Sequence, residues 1–263
     1  MINFLHTYLP QPLIWQFGFL KIYWYGVLIV LALVCGLIFV LKQSQKFGIK
    51  KDEVYNLGFY LVIFSLVGAR LYAVFLGWQF YFANPLEIIA VWHGGLAIHG
   101  AILGGVITLL IYGWKKNQSF WLWADLLAPA LALGQAIGRF GNYFNQEVFG
   151  KPTNLPCGIP ISLANRPAEY FEYQYFQPTF LYESVLNFCN FFILWLLISR
   201  LKKKEGTVFL IYLINYSLIR IVMEFLRVDQ TLIVFGWRLP ILVSLGIIIL
   251  ASILLSKKVI PKV

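Results

Sequence analysis

The sequence is poor in charged residues, which make up 12% of its 263 residues, whereas 60% are hydrophobic. A soluble domain carries about 25% charged and about 45–50% apolar residues. This composition therefore excludes an ordinary soluble domain. Apolar runs of spanning length recur along the chain, including an uncharged run over residues 22–41, and such runs predict transmembrane helices.

Cysteine and histidine are also scarce, with three of each. Cys35 and Cys189 fall inside apolar runs, so no disulfide framework is available. The histidines are scattered and no CxxC pair occurs, so we expect no metal site and no cofactor. The first 16 residues lack the basic start and the small-residue cleavage site of a secretory signal peptide, and the first apolar run is expected to stay as an anchor.

The net charge is +10, a balance that can indicate a nucleic-acid partner in a soluble protein. Here the basic residues concentrate in short connections between apolar runs, at residues 42–51, 115–116, 200–204 and 257–262. This is the usual topology pattern of a membrane protein, with the basic side in the cytoplasm. We therefore expect membrane lipids and no nucleic acid as partners, with the N-terminus outside and the C-terminus in the cytoplasm.

The pattern predicts an all-α integral membrane protein, a bundle of about seven transmembrane helices that forms a single domain over residues 1–263. The one long connection, about 140–178, contains several prolines, so it is predicted to be an irregular external loop region. The predicted spans are 20–41, 54–77, 91–113, 120–139, 179–199, 206–226 and 237–256.

Polar side chains recur at similar depth in these spans. At about 1.5 Å of rise per residue, six of them on six different spans fall in the outer half of the bilayer. A charge at bilayer depth costs about 2.5–3.5 kcal/mol on insertion scales, so the charged members are expected to face the bundle interior. The six residues are Tyr25, Arg70, His99, Arg139, Glu183 and Arg220.

The sixth predicted span carries a polar face. Four of its residues are spaced i, i+4, i+8 and i+11, which places them within an arc of about 80°. They are Tyr216, Arg220, Glu224 and Arg227. A structural ladder that joins helices is one explanation of this face, and a binding site is the other.

Two further residues also have structural explanations. Arg70 is compatible with snorkelling to the headgroups. His99 precedes glycines that permit close helix packing, so it is compatible with a packing role.

The most informative segment, residues 138–147 with the sequence GRFGNYFNQE, is followed by Gly150. It places charged and amide side chains between glycines where an apolar run ends. Hydrocarbon penalises such a segment, which predicts that something polar is bound there. Because arginine matches phosphate with two parallel hydrogen bonds, a basic layer at headgroup depth predicts a site for an anionic phospholipid. The reaction does not follow from these residues alone.

The same segments together resemble the prolipoprotein diacylglyceryl transferase family over nearly the whole chain. The match consists of six blocks in order, and the block at 138–147 is highly specific. His93 and Gln177 stand where some members carry other side chains, and neither is given a role. The blocks read WYG at 24–26, GAR at 68–70, GGLAIHG at 94–100, GRFGNYFNQE at 138–147, QPTFLYE at 177–183 and RIVMEFLR at 220–227.

The resemblance implies a multi-pass transferase of the bacterial cytoplasmic (inner) membrane. Phosphatidylglycerol donates its diacylglyceryl group to the lipobox cysteine thiol of a preprolipoprotein. A thioether forms and glycerol 1-phosphate leaves, which is the first step of lipoprotein maturation. The nucleophile is a thiol of the substrate, so the enzyme needs no nucleophile of its own.

The resemblance also implies roles for the residues that match the family's blocks. Arg139 and Arg220 are expected to hold the leaving phosphate, whose growing charge needs donors. His99 is the candidate for taking the thiol proton, because imidazole titrates near neutral pH. Tyr25 and Asn142 are expected to hold the headgroup.

The remaining residues assigned to substrate complete the predicted site. Glu224 and Glu147 are expected to orient the arginines or the glycerol hydroxyls. The others are Arg70, Gly150, Tyr216 and Arg227. On the residues alone, a transporter of an anionic solute or lipid and a non-catalytic phospholipid-binding scaffold stay open, although no internal repeat typical of transporters is visible.

Overall fold

The computed structural model of the protein describes residues 2–18, 20–200 and 204–259. Lys202, Lys203 and Lys262, which contribute to the predicted orientation, lie outside the described residues. Seven of the helices are long and apolar enough to cross a membrane. The predicted all-α integral membrane fold with about seven spans is therefore confirmed.

Nine helices are present in the described part of the chain. Two of them are short, and the other seven are the candidate spans. Their bounds are α1 Ile2–Thr7, α2 Trp24–Ser44, α3 Lys51–Leu76, α4 Trp78–Ala83, α5 Ile98–Lys116, α6 Phe120–Asn145, α7 Thr179–Arg200, α8 Thr207–Glu224 and α9 Leu239–Val259.

Strands are short and form three antiparallel pairs, each of two strands. The pairs are β1 Leu13–Phe17 with β2 Leu20–Tyr23, β3 Ile159–Pro160 with β4 Tyr175–Phe176, and β5 Ile233–Val234 with β6 Trp237–Arg238. The β5–β6 turn has φ of 51° at Phe235 and 77° at Gly236, as a two-residue hairpin turn with two left-handed residues requires.

Several helix ends differ from the predicted spans. Residues 20–23 are a strand, and the helix expected over 91–113 begins only at Ile98, because Gly94 and Gly95 adopt positive φ before it. The predicted span 120–139 continues as helix to Asn145, so the expected loop region 140–178 begins six residues late. In this stretch Arg139 has a partner on another helix, Glu183 of α7, while Asn142 and Asn145 bond to nearby residues. The span expected over 206–226 ends at Glu224.

The chain divides into two compact units. Unit 1 consists of Met1–Phe39 and Leu127–Val263. In this unit α8 packs against both α7 and α9. Under its long loop lies a separate apolar core of six buried residues, namely Tyr143, Phe149, Ile159, Ile161, Phe176 and Phe180. This core anchors the loop region to the last turn of α6 and the first turn of α7.

Unit 2 is Val40–Leu126. Its main contact joins α3 to α5, where a Cβ on Gly100 or Gly104 would meet the backbone carbonyl of Gly68 or Phe64. The close helix packing expected for the glycines after His99 is therefore observed.

Candidate functional site

Arg139 lies on the last two turns of α6, where two different segments accept its hydrogen bonds. Its Nη2 donates to Oε1 of Glu183 on α7, and its Nη1 donates to Oδ1 of Asn142 at 3.0 Å. Asn142 follows Arg139 by three residues, so both side chains lie on one helix face. The Asn142 amide in turn donates to Oε1 of Glu147 at 2.8 Å. Hydrogen bonds thus join Arg139, Asn142 and Glu147 in series within the 138–147 segment.

Glu183 lies in the second turn of α7 and is fully buried. One carboxylate oxygen accepts from Arg139, and the other is 3.8 Å from Nη2 of Arg227. A buried carboxylate is costly unless cations face it. Glu183 therefore depends on guanidinium groups from two different segments, and it fixes the relative position of those groups.

Arg220 and Glu224 on α8 form the ion pair expected from their i, i+4 spacing, with Nη2 and Oε2 2.9 Å apart. The carboxylate of Glu224 is also buried, and its Oε1 is 2.8 Å from Nε of Arg238 on β6. The β5–β6 hairpin brings Arg238 to this point, because it folds the chain back onto the end of α8. Arg238 Nη1 also donates to the carbonyl of Glu224 at 3.3 Å.

Arg227 connects the two buried carboxylates. Its guanidinium is 3.8 Å from Glu183 and 4.0 Å from Glu224, and Asp229 lies 3.7 Å from its Nε. Asp229 also approaches Arg238 at 3.9 Å. We call these seven residues the ion cluster: Arg139, Arg220, Arg227, Arg238, Glu183, Glu224 and Asp229.

The ion cluster has donor capacity that its own carboxylates do not use. Among the residues that the structure describes, Nη1 of Arg220 and Nε of Arg227 are buried and have no hydrogen-bond partner. Carboxylate oxygens of Glu183, Glu224 and Asp229 also lack hydrogen bonds and meet the guanidinium groups as ion pairs. A buried guanidinium donor without an acceptor is unfavourable, and such atoms call for an explanation. An anionic oxygen is the acceptor that a guanidinium binds most strongly, so the arrangement is suited to binding an anion such as a phosphate.

Tyr25 lies beside this cluster in the first turn of α2. A Cβ on Gly141 would overlap the ring of Tyr25, so a larger residue at this position of α6 would displace the ring. The ring of Tyr25 therefore packs on α6 at Gly141, the residue that precedes Asn142.

Gly150 contacts another part of the cluster, whereas the contact of Tyr216 is with a neighbour on its own helix. Gly150 forms a bridge with Arg227, and its N–H donates to the carbonyl of Gln177 at 3.0 Å. A Cβ there would lie 2.8 Å from Gln177 and from Thr179. Tyr216 is one turn before Arg220 and stacks on Tyr212, with centroids 6.1 Å apart.

Unit 2 holds the other buried arginine of the sequence analysis, Arg70, which is 5% exposed. All three of its guanidinium nitrogens donate to backbone carbonyls, and its guanidinium lies 5.0 Å from the ring centre of Tyr81. The five acceptors are the carbonyls of Glu87, Ile88, Ala90, Gly94 and Gly95. Arg70 therefore holds the segment that precedes α5.

His99 is the second residue of α5 in the same unit and is exposed. Its ring lies at a tilt to Tyr72 of α3, with centroids 5.9 Å apart. Across residues 2–18, 20–200 and 204–259, no group of three histidine, cysteine or acidic side chains is placed to hold a metal ion.

The structure thus brings Tyr25, Arg139, Asn142, Glu147, Gly150, Tyr216, Arg220, Glu224 and Arg227 together in unit 1, and it places Arg70 and His99 in unit 2. The sequence analysis gave no site role to Glu183, Asp229 or Arg238. Glu183 had a detectable signal, because it is an acid at depth in a span that has no basic residue near it. Arg238 had no such signal in the sequence, since the β5–β6 hairpin determines its position.

Comparisons with known proteins agree with the resemblance. The sequence model of the prolipoprotein diacylglyceryl transferase family matches residues 12–257. A phosphatidylglycerol–prolipoprotein diacylglyceryl transferase of Acaryochloris marina is 47% identical over 225 residues, which cover 85% of this chain and 82% of the relative. A protein of the same name from Synechocystis sp. is 44% identical over 248 residues, with 92% and 87% covered. One from Thermosynechococcus vestitus is 41% identical over 238 residues, with 90% and 88% covered.

Proposed function

The chain belongs to the prolipoprotein diacylglyceryl transferase family, and on that premise we propose that it transfers the diacylglyceryl group of phosphatidylglycerol to the lipobox cysteine of a preprolipoprotein. The observation that carries this proposal in the structure is the ion cluster. Arg139 and Arg220 are joined through Glu183, Arg227 and Glu224, and Arg220 keeps a buried donor unused. Guanidinium groups arranged in this way suit a phosphate headgroup.

The proposed reaction is a displacement at carbon. The cysteine thiol loses its proton, its sulfur attacks the carbon of the diacylglyceryl group that bears the phosphate oxygen, and the bond between that carbon and that oxygen breaks. The electron pair leaves with the oxygen, which gives glycerol 1-phosphate and a thioether. Arg139 and Arg220 are assigned to the phosphate, because fixed donors stabilise charge that grows on a leaving group.

Other side chains are assigned by position. Tyr25 and Asn142 hold the headgroup, while Glu147 and Glu224 orient donors through the contacts given above. His99 accepts the thiol proton, which its exposure permits. For Arg70 we propose support of the segment before His99 in place of direct substrate contact, because backbone carbonyls occupy its donors.

The remaining assignments concern the polypeptide and the membrane. Gly150, Tyr216 and Arg227 line or support the substrate region. The protein lies in the bacterial cytoplasmic (inner) membrane with its N-terminus outside and its C-terminus in the cytoplasm, as the lysine asymmetry supports. The ion cluster then faces the outer leaflet, and the chain acts as one catalytic domain over residues 1–263.

The test is direct. Purified protein is incubated with phosphatidylglycerol and a lipobox peptide, and the peptide is then weighed by mass spectrometry. The expected result is a gain of one diacylglyceryl group on the cysteine together with release of glycerol 1-phosphate. Lipid binding without transfer would overturn the proposal and favour a scaffold, and movement of the anion across the bilayer without transfer would favour a transporter.

A further inference from the structure

We propose that Glu183 is a positioning residue that fixes Arg139 and sets the net charge of the ion cluster, so that the site suits a singly charged phosphodiester and releases a phosphate monoester. This inference rests on the proposed function. No site role is predicted for Glu183 from the sequence. We assign to the net charge of the ion cluster the selection between the bound substrate and the released product.

The geometry places Glu183 at the branch point of the ion cluster. It is fully buried, one oxygen accepts from Arg139, and the other faces Arg227. Arg139 bonds to Glu183 and Asn142, and of these two acceptors only Glu183 is charged. A bond between a guanidinium and a carboxylate is among the strongest hydrogen bonds in proteins. Glu183 therefore determines where the Arg139 guanidinium lies.

The ion cluster contains four guanidinium groups and three carboxylates. With each of these groups ionised, one positive charge is unbalanced. Within the part of the chain that the structure describes, Glu147 meets the cluster through the amide of Asn142, and it is exposed, so water screens its charge. The headgroup of phosphatidylglycerol carries a single negative charge on its phosphodiester, which neutralises the cluster.

Product formation changes this balance. A phosphate monoester carries about −1.5 to −2 charges near pH 7, so glycerol 1-phosphate makes the occupied site negative overall. Two of the three carboxylates are buried, where charges are screened less than in water. The excess negative charge favours departure of the product, and the substrate that replaces it restores neutrality.

Removal of the Glu183 charge reverses this preference. In Glu183→Gln two positive charges are unbalanced, so the site matches a doubly charged monoester. We expect glycerol 1-phosphate to bind about tenfold more tightly than to the unchanged protein. We also expect kcat to fall at least tenfold, because Arg139 loses its charged partner and product release slows, while KM for phosphatidylglycerol does not rise.

Two variants separate charge from position. Glu183→Asp keeps the charge but withdraws the carboxylate by about 1.5 Å, one carbon–carbon bond, so kcat should fall while product affinity stays within twofold. Asp229→Asn makes the same charge change as Glu183→Gln at a residue whose side chain is 34% exposed, where loss of the fold is not expected. It should strengthen product binding about threefold, less than Glu183→Gln because of screening. The matched control is Glu172→Gln, at an exposed acid of the long loop.

The experiment uses the full-length protein in detergent micelles. Calorimetric titration with glycerol 1-phosphate gives the product affinity, and transfer to a lipobox peptide at varied phosphatidylglycerol gives kcat and KM. The inference is supported if product affinity rises in Glu183→Gln and Asp229→Asn but not in Glu183→Asp or Glu172→Gln. It fails if Glu183→Gln binds the product no better, or, where that variant does not fold, if Asp229→Asn binds it no better. If the unchanged protein transfers nothing, the proposed function fails, and the titrations still decide the charge argument.

Discussion

Two arginines of this protein are enclosed in different ways. In unit 2, Arg70 is 5% exposed and donates only to backbone carbonyls, which are neutral and fixed by the local fold. In unit 1, Arg139 keeps 19% of its side chain exposed and is held by the carboxylate of Glu183 and the amide of Asn142. A guanidinium surrounded by carbonyls has no donor left for a ligand. One that is held from one side by carboxylates keeps donors and charge available, so the identity of the acceptors separates a structural arginine from a binding one.

The strongest test of this comparison removes the arginine that is assigned to the ligand. Arg139→Ala is expected to lower kcat/KM for peptide modification by about 10²–10³, because one donor to a developing anion typically contributes that much. The melting temperature should also fall, because the buried carboxylate of Glu183 loses one of its two guanidinium partners, so kcat/KM is measured per folded protein. Arg200→Ala, at an exposed arginine of α7, is the control. Normal release of glycerol phosphate by Arg139→Ala would remove the leaving-group assignment.

The complementary test removes the arginine that is assigned to the fold. Arg70→Ala removes one donor from each of five carbonyls, of which that of Ala90 still accepts from the His93 N–H, and an unsatisfied buried acceptor costs about 1–3 kcal/mol. We expect a loss of about 3 kcal/mol or more in the free energy of unfolding, measured by denaturation in detergent. Arg70→Lys should restore little of it, since one ammonium cannot span five acceptors. A stable Arg70→Ala protein with a raised KM for phosphatidylglycerol would instead return Arg70 to the substrate.

The third test concerns His99 of unit 2, which is assigned to proton transfer. His99→Gln keeps the polarity of the side chain but cannot exchange a proton near neutral pH. We expect the rate of peptide modification to fall about 10²-fold, the lower end for loss of a general base, with the melting temperature unchanged. The rate should recover as the pH is raised, because the thiol then ionises without help. Near-full activity at pH 7 would remove the base assignment.

The sequence predicts some of this structure and not the rest, for physical reasons. Apolar runs of spanning length identify all seven long helices, because hydrocarbon requires them. The Arg220–Glu224 pair follows from spacing on one helix. Contacts between separate segments, such as Arg139 with Glu183 or Arg238 with Glu224, have no local signature.

The end of α6 shows the same limit. Residues 138–145 resemble a loop in composition, yet they are helical, and Arg139 among them has a distant partner in Glu183 of α7. The sequence likewise does not predict which carbonyls surround Arg70, since any residue supplies a backbone carbonyl.

A smaller effect is expected from substitution of two glycines of α6, Gly141 and Gly138, which can be compared with each other within unit 1. A Cβ at Gly141 meets the ring of Tyr25, whereas a Cβ at Gly138 has nothing within 4 Å. Gly141→Ala should therefore displace Tyr25 and raise KM for phosphatidylglycerol about tenfold. Gly138→Ala, one turn away on the same helix, should leave KM unchanged and slightly stabilise the helix. Equal effects of the two substitutions would show that Tyr25 does not hold the headgroup.

The smallest effect is expected at His93, the other histidine of unit 2. Its Nδ1 is 3.0 Å from Glu87, but its side chain is 58% exposed, and exposed ion pairs contribute little because water screens them. His93→Ala should keep peptide modification within twofold and shift the melting temperature by less than about 2 °C. His93→Ala and His99→Gln can then be compared directly, because each variant changes a histidine of unit 2. A tenfold loss in His93→Ala would mean that proton transfer uses His93, and the role proposed for His99 would have to be divided between them.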